Sequence, residues 1–301
     1  MSLRRVFDRI DFVGGWKLWF SISGVLLLLG IGAMAFGNLN FGIDFQGGAK
    51  FTASEANRQL SEGEVRDALP GFVAQEAVIQ QAGESGYEVR TPVISEEERG
   101  QVRDALQQAL GAEVSETSIS PTFGSQLRNQ ALQAVGAALL IIVIFISIRF
   151  EFAFAISAMA ALVHDILMTI GFYALVGREV NLVTIVAVLT VLGYSLYDTI
   201  IIFDRIRENT PEVGYNRRRF DQMVNNSVRQ VVMRSIYTSV STLIPITALL
   251  IFGESTLSDF AFALLVGIIA GTYSSIFIAS PVLSLYKAWR ADKRRLAESS
   301  A

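Results

Sequence analysis

The sequence predicts a polytopic α-helical membrane protein: six transmembrane helices, with one α+β domain inserted between the first and second. Three observations predict it. Of the 301 residues 51% are hydrophobic and only 18% charged, with a mean hydropathy of +0.44; ordinary soluble domains are about 25% charged. Residues 18–43, 129–148, 180–197, 235–253 and 260–286 contain no Asp, Glu, Lys or Arg, and a run of ~18 or more apolar residues crosses ~30 Å of hydrocarbon as a helix. The polar residues concentrate instead in one insert, 37–127. A soluble protein does not string five such runs together, so water-soluble enzymes and nucleic-acid-binding proteins are excluded as classes.

Six spans are expected, at roughly 17–36, 129–148, 153–176, 181–203, 232–252 and 260–286. The first follows Arg4, Arg5, Arg9 and Lys17 and ends near Ala33-Met34-Ala35, which resembles a signal-peptidase site. Its apolar stretch exceeds the ~7–15 residues of a signal-peptide core, so it reads as a retained span. The chain then divides into residues 1–36 (amino terminus and first span), 37–127 (the insert), 128–286 (spans two to six, with a loop at 204–231) and a basic tail, 287–301.

Charge segregation orients the spans. Basic residues crowd the amino terminus, the loop after span four (Arg205, Arg207, Arg217, Arg218, Arg219, Arg229) and the tail (Lys287, Arg290, Lys293, Arg294, Arg295). Six spans put these segments on one side, and the positive-inside rule makes it the cytoplasm. The other side receives Glu254 and Asp259 and the insert, whose 14 acidic against 6 basic residues give a net of −8. The basic stretch 216–231 reads as an interfacial helix or as a plain positive loop.

Within the insert, Ser61-Glu62-Gly63-Glu64 and Ser95-Glu96-Glu97-Glu98 each fit a capping box opening a helix. The first is followed by Val65-Arg66-Asp67-Ala68-Leu69. The second is followed by the same five residues 37 positions later, Val102-Arg103-Asp104-Ala105-Leu106. Strand-like stretches flank each helix at about 48–54, 72–81, 86–91 and 113–119, with a turn at Glu84-Ser85-Gly86. The order is βαββαβ, the ferredoxin-like arrangement, here as a duplicated βαβ.

Ionisable groups inside a span are costly and usually mark function. Asp198 lies six residues before Asp204, and Arg234 five residues past Arg229. At the helical rise these are ~9 Å and ~7.5 Å inside the same boundary, so an ion pair is open to them, either as a proton-loading device or as a static clamp of span four to span five. His164 and Asp165 sit ~17 Å into span three. Asp165 fits a proton route with Asp198 or a packing role; His164 fits packing or hydrogen bonding better than metal ligation. Ser235, Thr238, Ser239 and Thr242 share one face of span five. They either line a hydrated path near Arg234 or back-bond to the helix. Pro245 is placed to kink that helix, and Gly267-Ile268-Ile269-Ala270-Gly271 in span six admits a closely packed neighbour. With no cysteine and one histidine, cysteine-ligated and histidine-rich metal sites are excluded, and no ATP-binding GxxxxGK[ST] loop occurs.

Four motifs together resemble the SecF members of the SecD/SecF family, within the resistance-nodulation-division superfamily. They are Phe41-Gly42-Ile43-Asp44-Phe45-Gln46-Gly47-Gly48; Ala161-Leu162-Val163-His164-Asp165; Gly193-Tyr194-Ser195 through Asp198-Thr199; and Phe203-Asp204-Arg205-Ile206-Arg207-Glu208-Asn209. The resemblance implies a subunit of the bacterial cytoplasmic membrane, without a cofactor or enzymatic activity. It would pair with SecD at the SecYEG channel and its accessory subunits and use the proton motive force to assist preprotein export. It implies proton coupling at Asp198 and Arg234, to which position within the spans adds Asp165, His164 and Thr238 as secondary candidates. Gly42, Asp44, Phe45, Gly47, Gly48, Asp204 and Arg205 are then structural motif positions. Gln46 stands where the family often has threonine, and Leu196-Tyr197 where a small or polar residue is common.

The alternative is half of a proton-driven small-molecule or lipid exporter of the same superfamily, for which an insert of ~90 residues is small. An intramembrane aspartyl protease would need a carboxylate dyad, and the Gly-x-Gly-Asp partner motif is missing. A scaffold without proton chemistry remains the competitor for the buried charges.

Overall fold

A computed structural model describes residues 7, 9–37, 39–82, 85–210, 217–253 and 255–299. The charges expected at Arg4, Arg5 and Glu254 and the turn position Glu84 lie outside the described residues. Among the described residues six helices are long and apolar enough to cross a membrane, and the chain is an integral membrane protein in architecture. The spans are α1 (Trp16–Ala35), α5 (Pro121–Arg149), α6 (Phe152–Val176), α7 (Leu182–Asn209), α8 (Arg217–Phe252) and a sixth composite. The sixth joins α9 (Ser255–Ser274), a π turn (Ser275–Ala279) and α10 (Ser280–Ser299).

The bundle is built around α6 and the sixth span, which are the most enclosed. Glycines set its closest approaches. A Cβ on Gly267 would meet Val191 Cγ2 at 2.4 Å, and one on Gly271 would meet Ser195 Cβ at 2.8 Å, so the GxxxG face lies directly on α7. Gly30 of α1 meets Gly171 of α6 in the same way, at 2.8 Å to its Cα.

The insert folds as β2 (Gly48–Ala53), α3 (Glu62–Ala68), β3 (Val78–Ala82), β4 (Gly86–Thr91), α4 (Glu96–Leu110) and β5 (Ser115–Ile119). Its four strands pair antiparallel in the order β3-β4-β2-β5. Both capping boxes form, with Ser61 accepting from the Glu64 amide and Ser95 from the Glu98 amide. The Ser61 and Ser95 amides and hydroxyls hold the Glu64 and Glu98 carboxyls below the usual range. The repeated pentapeptide does the same work twice: Val65 and Val102, then Leu69 and Leu106, fill the core with Phe51, Tyr87 and Val89. The second strand is shorter than expected. Residues 71–76 form turns instead, tied down by Arg66 Nη1 donating to the Ala74 and Ala77 carbonyls at 2.6 and 2.9 Å.

Three further elements differ from expectation. The 204–231 loop is mostly helix: α7 continues to Asn209, and 217–231 is the opening of α8 rather than a separate interfacial helix. No breaker separates Arg217 from the span. Phe220, Met223, Val224, Val228 and Val231 recur at helical spacing and bury against Phe12, Phe203, Ile206 and Leu283. The second span opens at Pro121, capped by Ser120, because proline at the first helical turn costs no hydrogen bond. The glycine-rich motif after α1 builds structure of its own, namely β1 (Asn40–Phe41) and the short α2 (Ile43–Gln46). β1 pairs in parallel with β6 (Glu179–Val180), in the connection between α6 and α7.

Candidate functional site

Asp198 stands on the buried face of α7, 4% exposed. Its Oδ2 and Ser235 Oγ on α8 face each other, both buried and with no other hydrogen-bond partner. Arg234 is not its partner. One residue before Ser235 on the helix, it turns ~100° away, is exposed, and forms no ion pair among the described residues. It lines an open groove of about 430 Å³ with Ile201, Asp204, Arg205, Glu208, Gln230 and Val231. The expected pair is thus not made, because the two side chains occupy different faces at similar depth.

Apart from Ser235, the hydroxyls of that face of span five back-bond. Thr238 donates to the Arg234 and Ser235 carbonyls, Thr242 to Thr238, and Ser239 to Ser235, with Ser239 also meeting Thr272 at 2.5 Å. Pro245 lies within α8.

Asp165 is fully buried at the centre of the bundle. Its Oδ2 accepts from Ser195 at 2.6 Å and Ser274 at 2.9 Å, and its Oδ1 lies 3.0 Å from His164 Nδ1. Three helices therefore converge on one carboxylate. Ser275, the first residue of the π turn, meets Thr199 Oγ1 at 2.8 Å and donates to the Ser195 carbonyl at 3.3 Å. Such a turn lets two adjacent serines reach two different helices, and π turns often mark functional positions. Ser274, Ser275 and Ser23 escaped the sequence reading, although the run Thr272-Tyr273-Ser274-Ser275 inside an apolar span was the available signal.

The glycine motif keys the insert to α7. The Gly42 amide donates to Val180, and Asp44 Oδ2 accepts from the Leu182 amide at 2.9 Å, satisfying the first turn of α7. Phe45 buries with Tyr173, Val180 and Ala131. Gly47 and Gly48 have φ of +79° and +132°. At the opposite end, Arg149 lies 3.7 Å from Asp204, and Arg205 holds Glu208 at 2.7 Å and Gln230.

Beside the motif, Arg90 of β4 pairs with buried Glu179, while Glu88 takes Lys50 at 3.3 Å. Burial pushes the Glu179 carboxyl up from 4.5 to about 7, against the opposing pull of Arg90. An acid raised on folding binds its proton more tightly folded than unfolded. Its contribution is therefore full below pH 4.5 and is lost as pH rises toward about 7. Thermal unfolding should show a loss on the order of 1–3 kcal/mol across that window from this group. Glu179→Gln should remove that part of the pH dependence, and an unchanged profile would refute the assignment.

The family model described as protein export membrane protein SecD/SecF, C-terminal, matches residues 101–289. The chain belongs to the SecD/SecF family. Among its SecD/SecF relatives, the protein translocase subunit SecF of Streptomyces coelicolor is 35% identical, over 91% of this chain and 76% of that one. The SecF of Mycobacterium tuberculosis is 36% identical, over 91% and 66%. That of Rhodothermus marinus is 38% identical, over 97% and 99%. The crystal structure of SecDF from Thermus thermophilus, described as a translocon-associated membrane protein, superposes with a TM-score of 0.86 at 34% identity over 96% of this chain. SecDF in a super-membrane-facing form gives 0.69 over 97%, also at 34% identity. The chain spans 40% of the length of each SecDF chain.

Proposed function

We propose that this chain is an accessory subunit of the Sec translocase that, with SecD, uses the proton motive force to assist preprotein translocation across the bacterial cytoplasmic membrane. The carrying observation is the Asp198 carboxylate, buried within a span with its Oδ2 meeting no partner beyond the facing Ser235 hydroxyl. A group in that state is costly to keep charged, which suits an acid that alternates between loaded and empty. Protons are the coupling ion, and no cofactor or enzymatic step is invoked.

The charge distribution supports cytoplasmic termini and an outward-facing insert of about 37–127. The strand order and pairing of the insert support a ferredoxin-like classification. SecYEG and the emerging preprotein are the partners this reading proposes beyond SecD.

Arg234 supports the SecD pairing. An exposed guanidinium inside a span needs a covering partner, and Tyr197, Tyr237, Thr238 and Ser241 extend the same uncovered surface. Arg234→Met is expected to cut SecD recovered with the affinity-purified chain by about fivefold or more, the scale of one interfacial charge contact, and to reduce proton-motive-force-dependent export in membrane vesicles. Normal recovery together with normal export would overturn the reading.

A further inference from the structure

Four contacts run in line from span one to the bundle centre. Tyr273 Oη donates to the Trp19 carbonyl at 2.9 Å. Ser23 Oγ lies 3.3 Å from Tyr273 Oη, and His164 Nε2 lies 3.2 Å from Ser23 Oγ. His164 Nδ1 lies 3.0 Å from Asp165 Oδ1. The His164 and Tyr273 rings stack at 5.9 Å, which holds the line in place.

Each contact needs one proton, and the donors can be assigned. A carbonyl only accepts, so the single hydroxyl proton of Tyr273 goes to Trp19. Tyr273 then accepts from Ser23, which spends its only proton. Ser23 in turn accepts from His164, which requires Nε2–H. A neutral imidazole has no second N–H, so Nδ1 would face the Asp165 carboxylate lone pair to lone pair. Ser195 and Ser274 cannot help, because both donate to Oδ2. Tyr273, Ser23 and a neutral His164 thus bring three protons to four contacts.

We propose that His164 and Asp165 form a proton-binding site, separate from Asp198, that holds one exchangeable proton between Nδ1 and Oδ1, with Ser23 and Tyr273 as positioning residues. Loading takes one proton from water and adds one positive charge to the pair; release returns it. The other ionisable group in the line is Tyr273 on α9. On α7, which packs against the same carboxylate, the nearest is Asp198, three residues beyond Ser195. In the empty state His164 carries Nδ1–H toward the carboxylate and Ser23 turns its proton to Nε2. Tyr273 must then give up either Ser23 or Trp19. Both of those belong to α1, so emptying the site loosens span one from α9 while its Ser23 contact to α6 is kept. The site rests on the proton-coupling reading only for its use in export.

His164 is the only histidine of the sequence, so ring-¹⁵N-histidine labelling of the full chain, purified without a histidine tag and reconstituted in lipid bilayers, reports this ring alone. The wild type is expected to show protonated Nε2 with a proton shared at Nδ1 in the loaded state. Tyr273→Phe leaves two contacts for two protons, so the ring should invert to Nδ1–H with bare Nε2, a tautomer ratio changed by about tenfold or more for one buried hydrogen bond. Asp165→Asn should leave Nε2–H at all pH values and abolish the titration. A wild-type ring with bare Nε2 across the pH range, or a Tyr273→Phe ring unchanged from wild type, would overturn the proposal. Vesicle export separates the two claims. If Asp165→Asn changes the ring as expected but exports normally, the site stands and its role in coupling falls.

Discussion

Asp198→Asn is expected to abolish the stimulation of preprotein export by the proton motive force while leaving the fold intact. The substitution is nearly isosteric, and the carboxylate it replaces is 4% exposed with Oδ2 facing only the Ser235 hydroxyl, which can pair equally with an amide. An amide cannot take up or release a proton at physiological pH. One charge moved through 100 mV is worth ~2.3 kcal/mol, about a 50-fold bias per charge at 25 °C, and that bias is the largest single effect one side chain here could remove. Export in inverted vesicles, with and without an ionophore, measures it. Thermal stability in detergent should be unchanged or slightly raised, since the cost of burying a charge is gone. Undiminished stimulation would reduce Asp198 to a packing residue.

Gly48→Ala should destabilise the insert by about 2–4 kcal/mol. Gly48 opens β2 with φ at +132°, where side chains are strained, and an added Cβ would lie 2.4 Å from the Thr91 carbonyl oxygen. That oxygen belongs to the strand β2 pairs with, so relief requires moving the sheet. Limited proteolysis of the insert in intact vesicles should accelerate, and the chain should melt earlier. Gly136→Ala is the control: it lies in α5 with nothing within 4 Å of its added Cβ, and should be neutral or mildly stabilising. Equal behaviour of the two variants would show that the strain at Gly48 is relieved locally.

Charge-free runs made the spans legible, and two capping boxes around a repeated pentapeptide made the insert helices legible, because both signals are local. Side-chain facing was not. Depth along the sequence put Asp198 and Arg234 level, but adjacent positions on α8 divide between core and surface. Ser235 took the inward place and Arg234 the groove. The buried network around Asp165 was half visible. His164 and Asp165 stand out as ionisable residues in an apolar run, whereas the serines that complete the site come from three other spans and carry no charge to announce them. The stretch 217–231 misled because arginines masked an apolar helical period continuous with the span.

The helix α7 has a mechanical consequence. Its first turn is bonded to Asp44 of the glycine motif, Ser195 and Asp198 lie at its middle, and it continues unbroken to Asn209, 28 residues in all. It is a continuous rod with one end fastened to the insert. Leu182 lies 16 residues from Asp198, about 24 Å at the helical rise, so a tilt of about 10° there sweeps the fastened end sideways by about 4 Å. A tilt of that size at the buried acids would reach the insert as a displacement comparable to one residue of an extended polypeptide.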